Sequence, residues 1–164
     1  MITVITPVLQ TGNIVPENLR KGKQFEDYVR RNLFPEVNYK LIHRDSRYTQ
    51  HINEYPKKNL EPDFTLQDIS TKKVFYIDCL FRTALITNCY QFSKRFHQEN
   101  KKRYKDADYF LLLGLGGKPE VPNQAFLLKL VDFKYIIIQK RHLSGKEIHV
   151  DQPVSSLQLW QHIA

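Results

Sequence analysis

Apolar residues recur along the chain with two different spacings, and the first of these spacings predicts a helix. We expect this helix to open at Pro16, because proline suits a first turn, and Pro35 marks its end. Its apolar positions lie three or four residues apart, as one face of a helix requires. They are Leu19, Phe25, Tyr28, Val29, Leu33 and Phe34.

Short apolar runs after this helix predict strands. Residues 64–69 and 74–81 are separated by polar, turn-compatible residues, so we expect a hairpin. Residues 109–115 are apolar throughout, which is typical of a central strand buried on both faces, and Gly116 is expected to end it. Residues 135–139 fit either a strand or a helix end. The predicted strands comprise residues 39–43, 64–69, 74–81, 109–115 and 125–131.

Two further helices complete the predicted order of elements. Residues 88–105 and 155–162 have helical character, so the order becomes helix, three strands, helix, strand, strand. A meander of strands followed by a helical crossover gives a mixed sheet flanked by helices. A chain of 164 residues has the size of one domain, and we expect a single α/β domain over residues 1–164.

Composition and charge narrow the class of protein. A hydrophobic content of 41% indicates a folded chain. The net charge of +8 favours a polyanionic partner such as nucleic acid, with a basic surface that binds none as the alternative. Cys79 and Cys89 are too few for a disulfide framework or a zinc site. Because the sequence has neither a long apolar run nor a signal peptide, we expect a cytoplasmic protein with no membrane partner.

Two acidic residues lie in or beside apolar strands. Asp63 precedes the second predicted strand, and Asp78 lies in the middle of the third. Hard cations such as Mg²⁺ take oxygen ligands, commonly one or two carboxylates together with water and phosphate. An acid inside an apolar strand is rarely buried alone, so a metal ion or a cationic side chain is expected beside Asp78. The alternatives are a turn acid at Asp63 and a structural ion pair at Asp78.

The sequence around these acids resembles the PD-(D/E)XK nuclease superfamily, which has the restriction-endonuclease-like fold. Its members carry Pro-Asp, a spacer, and then an acid, any residue and a lysine. Here Pro62-Asp63 is followed by Asp78-Cys79-Leu80, so leucine stands in place of the lysine.

Two further segments resemble a bacterial subfamily of the same fold. Residues 21–29 are similar to its first helix, and residues 110–119 are similar to its strand and glycine turn after the crossover helix. The resemblance extends over about residues 21–131 and implies an αβββαβ core there, with residues 132–164 as a C-terminal extension.

The resemblance implies a metal-dependent nuclease with DNA as its substrate and partner. Glu26, Asp63 and Asp78 would hold Mg²⁺ or Mn²⁺, and the two aspartates would also be catalytic. Without the resemblance, Glu26 is interpreted as a solvated helix residue.

Because Leu80 stands where the family has a lysine, another residue must supply the catalytic positive charge. Asp78, Leu80 and Arg82 share one face of their strand, because side chains alternate across a strand. A lysine would add positive charge where negative charge develops, and Leu80 adds none. Two residues are candidates for this cation: Arg82, two positions along the same face, and Lys94, on the helix to which family lysines migrate.

A basic segment follows on the second predicted helix. Six Lys or Arg residues stand against one acid in residues 91–105, which suits contact with a phosphate backbone, although a solvated basic face is the alternative. Gln91 joins the candidate site because family members often carry a glutamine on this helix. The expected nucleic-acid-binding residues are Lys94, Arg95, Lys101, Lys102 and Arg103.

Three functional interpretations follow. An active nuclease is favoured by the three retained acids, because clustered carboxylates repel one another and need a cation. A catalytically inactive relative that binds nucleic acid or a protein partner is favoured by Leu80. A structural subunit of a larger complex is the third. The sequence contains no phosphate-binding loop ending in Gly-Lys-Ser/Thr and no paired-histidine metal motif.

Overall fold

The structure, a computed structural model, describes residues 17–45, 61–84, 89–91, 106–129 and 137–161. The helices of these parts are α1 (Glu17–Tyr28), a π-helical turn (Val29–Leu33), a 3₁₀ turn (Lys140–Leu143) and α2 (Ser156–Gln161). The strands are β1 (Tyr39–Arg44), β2 (Phe64–Asp68), β3 (Val74–Arg82), β4 (Cys89–Gln91), β5 (Tyr109–Lys118), β6 (Val121–Lys129), β7 (Ile137–Gln139) and β8 (Glu147–Ile148).

The main sheet is mixed, as the sequence predicts. Its strand order is β1-β2-β3-β5-β6-β8, and β4 pairs with β7 in a separate small sheet. The strands β3 and β5 run parallel, and every other described pair is antiparallel. The hairpin predicted from residues 64–81 is confirmed, because Phe64 pairs with Ile77 and Gln67 with Val74. The β3–β5 connection passes through β4 and residues outside the described ranges.

The two faces of the sheet carry separate apolar clusters. The face covered by α1 and α2 includes Phe75 and Ile77 of β3 together with Val154 and Leu159 from the C-terminal segment. The opposite face includes Tyr109 and other residues of β5 and β6, with Tyr76 and Leu80 of β3 packed against them. Residues of β3 therefore alternate between the two clusters, as expected for a strand.

A close approach between α1 and β5 fixes the position of the helix. A Cβ atom added at Gly114 would lie 2.4 Å from the ring of Phe25, so only glycine leaves room for that ring. Phe25 is fully buried against the sheet. The neighbouring residue Glu26 is also buried, with 5% exposure.

The turn of the β2–β3 hairpin binds α2. Asp68 accepts hydrogen bonds from the indole of Trp160 at 2.7 Å and from the hydroxyl of Ser156 at 2.5 Å. It also accepts bonds from the backbone N–H and hydroxyl of Ser70. Burial by itself raises the pKa of Asp68, but these hydrogen bonds stabilise the carboxylate and lower its pKa to about 2.

Two predictions about secondary structure are wrong. Cys89–Gln91, expected at the start of a helix, forms β4, where its backbone pairs with Ile137–Gln139. Gly116 does not end β5: it and Gly117 adopt positive φ angles of 76° and 73°, which let the strand continue to Lys118. Within the described ranges no helix has both the length and the apolar character that crossing a membrane requires.

Candidate acidic site

Asp63 and Asp78 meet where β2 begins beside the middle of β3. The backbone N–H of Asp63 donates to Oδ1 of Asp78 at 3.2 Å, and the N–H of Cys79 donates to Oδ2 of Asp63 at 2.7 Å. The hydroxyl of Tyr109, on the parallel strand β5, donates to Oδ2 of Asp78 at 2.7 Å. Both carboxylates are buried, with 9% exposure for Asp63 and 7% for Asp78.

Glu26 reaches the same region from α1. The residue is 5% exposed, and its Oε1 atom accepts no hydrogen bond from any described group. The nearest charged partner is Nη2 of Arg44, 3.6 Å away, beyond hydrogen-bonding distance. An unbonded carboxylate oxygen at this depth is costly unless a proton or a cation neutralises it.

The three predicted acids approach the site from different sides of the sheet. Glu26 lies on the face covered by α1, whereas Asp78 points into the opposite face, where it bonds Tyr109. Asp63 precedes β2, and its backbone N–H bonds Asp78. Its charge influences both of the other acids.

Two charged residues that the sequence did not single out belong to this site. Asp45 follows β1, is 3% exposed, and its backbone N–H donates to the carbonyl of Asp63 at 3.0 Å. Arg44, the last residue of β1, donates to Asp27 at 2.8 Å and lies over the ring of Phe64. The polar sequence after residue 43 predicts a loop for both residues. The only sequence signal for them is that an Arg-Asp pair directly follows the predicted strand of residues 39–43.

Burial and mutual repulsion raise the pKa values of the acids. Burial, followed by the charge of Asp63, raises the pKa of Glu26 to about 9. Burial also raises the pKa of Asp63 to about 7, against the hydrogen bond from Cys79. The pKa of Asp78 lies well above its usual range, because the residue is buried and adjoins Asp63. The site therefore favours either bound protons or an added positive charge.

The donor set fits a hard divalent cation by chemistry. Buried carboxylate oxygens, one of them unbonded on Glu26, are the ligands that Mg²⁺ and Mn²⁺ prefer. Across the described ranges, however, no three His, Cys, Asp or Glu side chains are grouped as metal ligands. Asp63 is next to Asp78, and its charge acts on Glu26. Glu26, Asp63 and Asp78 stay a predicted set of metal ligands.

The basic residues that the sequence predicts for the site do not join the buried acids in the described parts of the chain. Leu80 packs against the apolar cluster of its own face and adds no charge. Arg82 is exposed at the end of β3, where its guanidinium donates to the carbonyl of Phe81 at 2.9 Å. Gln91 lies in β4 rather than on a helix. The remaining predicted residues lie outside the described ranges: Lys94, Arg95, Lys101, Lys102 and Arg103.

A separate cleft of about 660 Å³ lies near the carboxyl ends of the parallel strands β3 and β5. Thr83, Gly116, Lys140 and Glu147 are among its lining residues, and none of the acids described above lines it. Its position follows the general tendency of clefts to form at the carboxyl ends of parallel strands.

Comparisons with known proteins bear on the fold. No protein-family model matches the chain, and no curated protein matches it. Among solved structures, it is similar to Hjc, a Holliday junction resolvase from the archaeal hyperthermophile Archaeoglobus fulgidus. The TM-score is 0.54 at 13% sequence identity, and the match covers 79% of this chain and 91% of the resolvase chain.

Identity this low shows a common fold and assigns no residue a role. The α/β fold with a mixed sheet, expected from the sequence, is confirmed by this similarity. The mixed sheet of this protein, with its flanking helices, therefore has a fold similar to that of this Holliday junction resolvase.

Proposed function

We propose that the protein is a nuclease-like enzyme that hydrolyses DNA phosphodiester bonds with Mg²⁺ or Mn²⁺. The observation that carries the proposal is the buried acid site around Asp63, in which Oε1 of Glu26 has no hydrogen-bond partner among the described residues. The similar fold of a Holliday junction resolvase supports a DNA substrate. The protein is proposed to act in the cytoplasm.

The acids would bind the cation in pairs rather than as one converging trio. Asp63 adjoins Asp78 on one side, and its charge influences Glu26 on the other. One or two carboxylates are enough for Mg²⁺, since water and substrate phosphate complete its ligands. When bound, the cation would polarise the phosphoryl oxygen and favour hydroxide over water.

In the proposed hydrolysis, the hydrogen bonds of the site would orient its acids. A water molecule gives up a proton as its oxygen bonds to phosphorus, the bond from phosphorus to one sugar oxygen breaks, and that sugar oxygen takes up a proton. The bonds from Tyr109 and from the N–H of Asp63 hold Asp78 in one orientation. The bond from Cys79 holds Asp63 in the same way, so the site is preorganised.

The net charge of +8 supports binding to the DNA backbone. We propose that Lys94, Arg95, Lys101, Lys102 and Arg103 contact phosphates, with Gln91 near the site. Arg82 and Lys94 are the catalytic cations expected from the sequence, and both stay proposals.

The test is cleavage of labelled plasmid, single-stranded and four-way-junction DNA with Mg²⁺ or Mn²⁺. Asp63→Asn and Asp78→Asn keep the size of each side chain and remove its charge, so we expect cleavage to fall by about 10²-fold or more. Glu120→Gln, an exposed acid in the β5–β6 turn, is the matched control and should cut like the wild type. Cleavage that persists in EDTA or in both aspartate variants would overturn the proposal.

Leu80 favours a second candidate, an inactive relative that binds DNA or a protein partner. Its side chain packs against the apolar cluster where a catalytic lysine would be charged. This candidate predicts no cutting of any substrate, together with salt-sensitive DNA binding that survives Asp78→Asn.

A further inference from the structure

Arg44 brings a fixed positive charge to the acid site from a strand that the sequence did not implicate. It is the last residue of β1 and pairs with Phe64, the residue that follows Asp63. Its guanidinium carbon lies 5.1 Å from the centre of the Phe64 ring, within the range of a cation–π contact. The ring and the strand pairing therefore hold the guanidinium beside Asp63.

The guanidinium of Arg44 forms a hydrogen bond with Asp27 of α1 and lies near Glu26 of the same helix. Its Nη2 donates to Oδ1 of Asp27 at 2.8 Å, whereas the same atom is 3.6 Å from Oε1 of Glu26. The first contact is a charge-assisted hydrogen bond, and the second is electrostatic only. A cation that took Glu26 as a ligand would thus leave the anchor of Arg44 intact.

Arg44 is also more accessible than the buried Glu26, and its anchor Asp27 is more exposed still, at 34%. The side chain of Arg44 is 24% exposed, compared with 7% for the side chain of Glu26. A phosphate that approached Glu26 from solvent would therefore come within reach of the guanidinium. Arginine suits that contact, because its planar fork matches the oxygens of a phosphate and stays charged at every relevant pH.

Resting on the nuclease function proposed above, we propose that Arg44 is the residue that contacts the DNA phosphate at the acid site. It supplies positive charge from the α1 side of the sheet, whereas Leu80, on the opposite face of β3, supplies none. Asp27 is then a positioning residue, which keeps the guanidinium at the mouth of the site instead of in a bond with Glu26.

The test compares Arg44→Gln, Arg44→Lys and the control Arg20→Gln, which removes an exposed arginine paired with Glu17 at 2.6 Å. We expect Arg44→Gln to slow single-turnover cleavage by about 10²-fold. The Mn²⁺ concentration for half-maximal rate should change by less than about threefold, because the ligands are kept. Arg44→Lys should recover part of the rate, and Arg20→Gln should cut normally. Wild-type cleavage by Arg44→Gln, or a defect that vanishes at saturating Mn²⁺, would overturn the proposal.

A second measurement separates this proposal from the nuclease function. The logarithm of DNA affinity, measured in Ca²⁺, is plotted against the logarithm of the salt concentration. This slope is negative, and removing one phosphate contact should make it shallower by about 0.9 in Arg44→Gln and leave it unchanged in Arg20→Gln. If the wild type never cuts, the nuclease function fails, and an unchanged slope in Arg44→Gln still overturns the phosphate contact.

The folding of Arg44→Gln is the practical risk, because it leaves the buried Glu26 without its nearby cation. The double variant Glu26→Gln/Arg44→Gln removes both charges and is compared with Glu26→Gln alone. A slope shallower by about 0.9 in the double variant supports the contact, and equal slopes contradict it.

Discussion

The backbone N–H of Asp63 donates to the carboxylate of Asp78 at 3.2 Å, and the carboxylate of Asp63 accepts from the residue after Asp78 at 2.7 Å. This exchange between β2 and β3 keeps two buried acids side by side despite their repulsion. After burial, the charge of Asp63 is the largest cause of the raised pKa values of Asp78 and Glu26.

Replacing Asp63 with asparagine should therefore lower the pKa values of both neighbours. The new side chain would still accept the bond from Cys79 through its amide oxygen, so the geometry is kept while the charge is removed. Titration of the carboxyl carbons by NMR should show the pKa of Glu26 moving down from about 9 and that of Asp78 moving down as well. The exposed carboxyl of Glu17 is the internal control. Unaltered titration of Glu26 and Asp78 would show that Asp63 does not act on them.

The metal-free protein should lose stability as the pH rises through the neutral range. The pKa of Glu26 is 4.5 without the protein environment and about 9 in the folded protein, and that of Asp63 rises from 3.8 to about 7. An acid whose pKa is raised by folding stabilises the fold fully below the unfolded value and loses that contribution through the folded value. The affected window is thus about pH 4 to 9.

Urea unfolding at pH 5, 7 and 9 measures this effect. The double variant Glu26→Gln/Asp63→Asn lacks both titrations, so its stability relative to the wild type should increase with pH. Parallel pH dependence in the two proteins would be inconsistent with the raised pKa values.

Replacing Trp160 with phenylalanine should destabilise the fold by about 1.5–3 kcal/mol at neutral pH, because Asp68 loses a hydrogen bond to its charged carboxylate. The pKa of Asp68 is about 2 in the folded protein and 3.8 outside it. The contribution is therefore present above pH 3.8 and disappears as the pH falls through 2.

Denaturant unfolding followed by circular dichroism is the measurement for this variant, since it needs no tryptophan signal. Leu157→Ala removes a 71% exposed side chain from the same helix and should change stability by no more than about 0.5 kcal/mol. An effect of Trp160→Phe that is equal at pH 7 and pH 2 would contradict the role of the Asp68 charge.

A methyl group at Gly114 should weaken the packing of α1. Its Cβ would lie 2.4 Å and 2.6 Å from two carbons of the Phe25 ring, so the ring and the helix must move, at about 1–3 kcal/mol. Gly22→Ala is the matched control, because nothing lies within 4 Å of its Cβ position and alanine favours a helix by about 0.5–1 kcal/mol. Thermal unfolding should give opposite shifts for the two variants, and a neutral Gly114→Ala would refute the packing argument.

Much of the sheet could be predicted from local patterns. The β2–β3 hairpin follows from two apolar runs around a polar turn, and α1 follows from helical spacing. β4 escaped prediction because Cys89–Gln91 is short and becomes a strand only by pairing with a distant segment. β5 extends beyond its predicted end because Gly116 and Gly117 adopt positive φ within the strand instead of turning the chain.

The site was predictable only where a motif marked it. Asp63 and Asp78 were found through the Pro-Asp pattern and through an acid inside an apolar strand. Arg44 and Asp45 were missed because their place depends on the β1–β2 register, which shifts between Leu41 and His43. That irregularity brings the end of β1 against Asp63. No local pattern of polar and apolar residues encodes such a shift.

The hydrogen bonds between α2 and the β2–β3 turn can form only after residues 156–161 have left the ribosome. During translation the hairpin can form as soon as residues 64–82 have left the ribosome, since its pairing is local. The parallel strand β5, with the hydroxyl that holds Asp78, emerges later. Val154 and Leu159, which complete the core under α1, emerge later still. A nascent chain stalled before Val154 would lack these two core residues, so apolar side chains on that face of the sheet would stay in contact with water, and chaperones bind such surfaces.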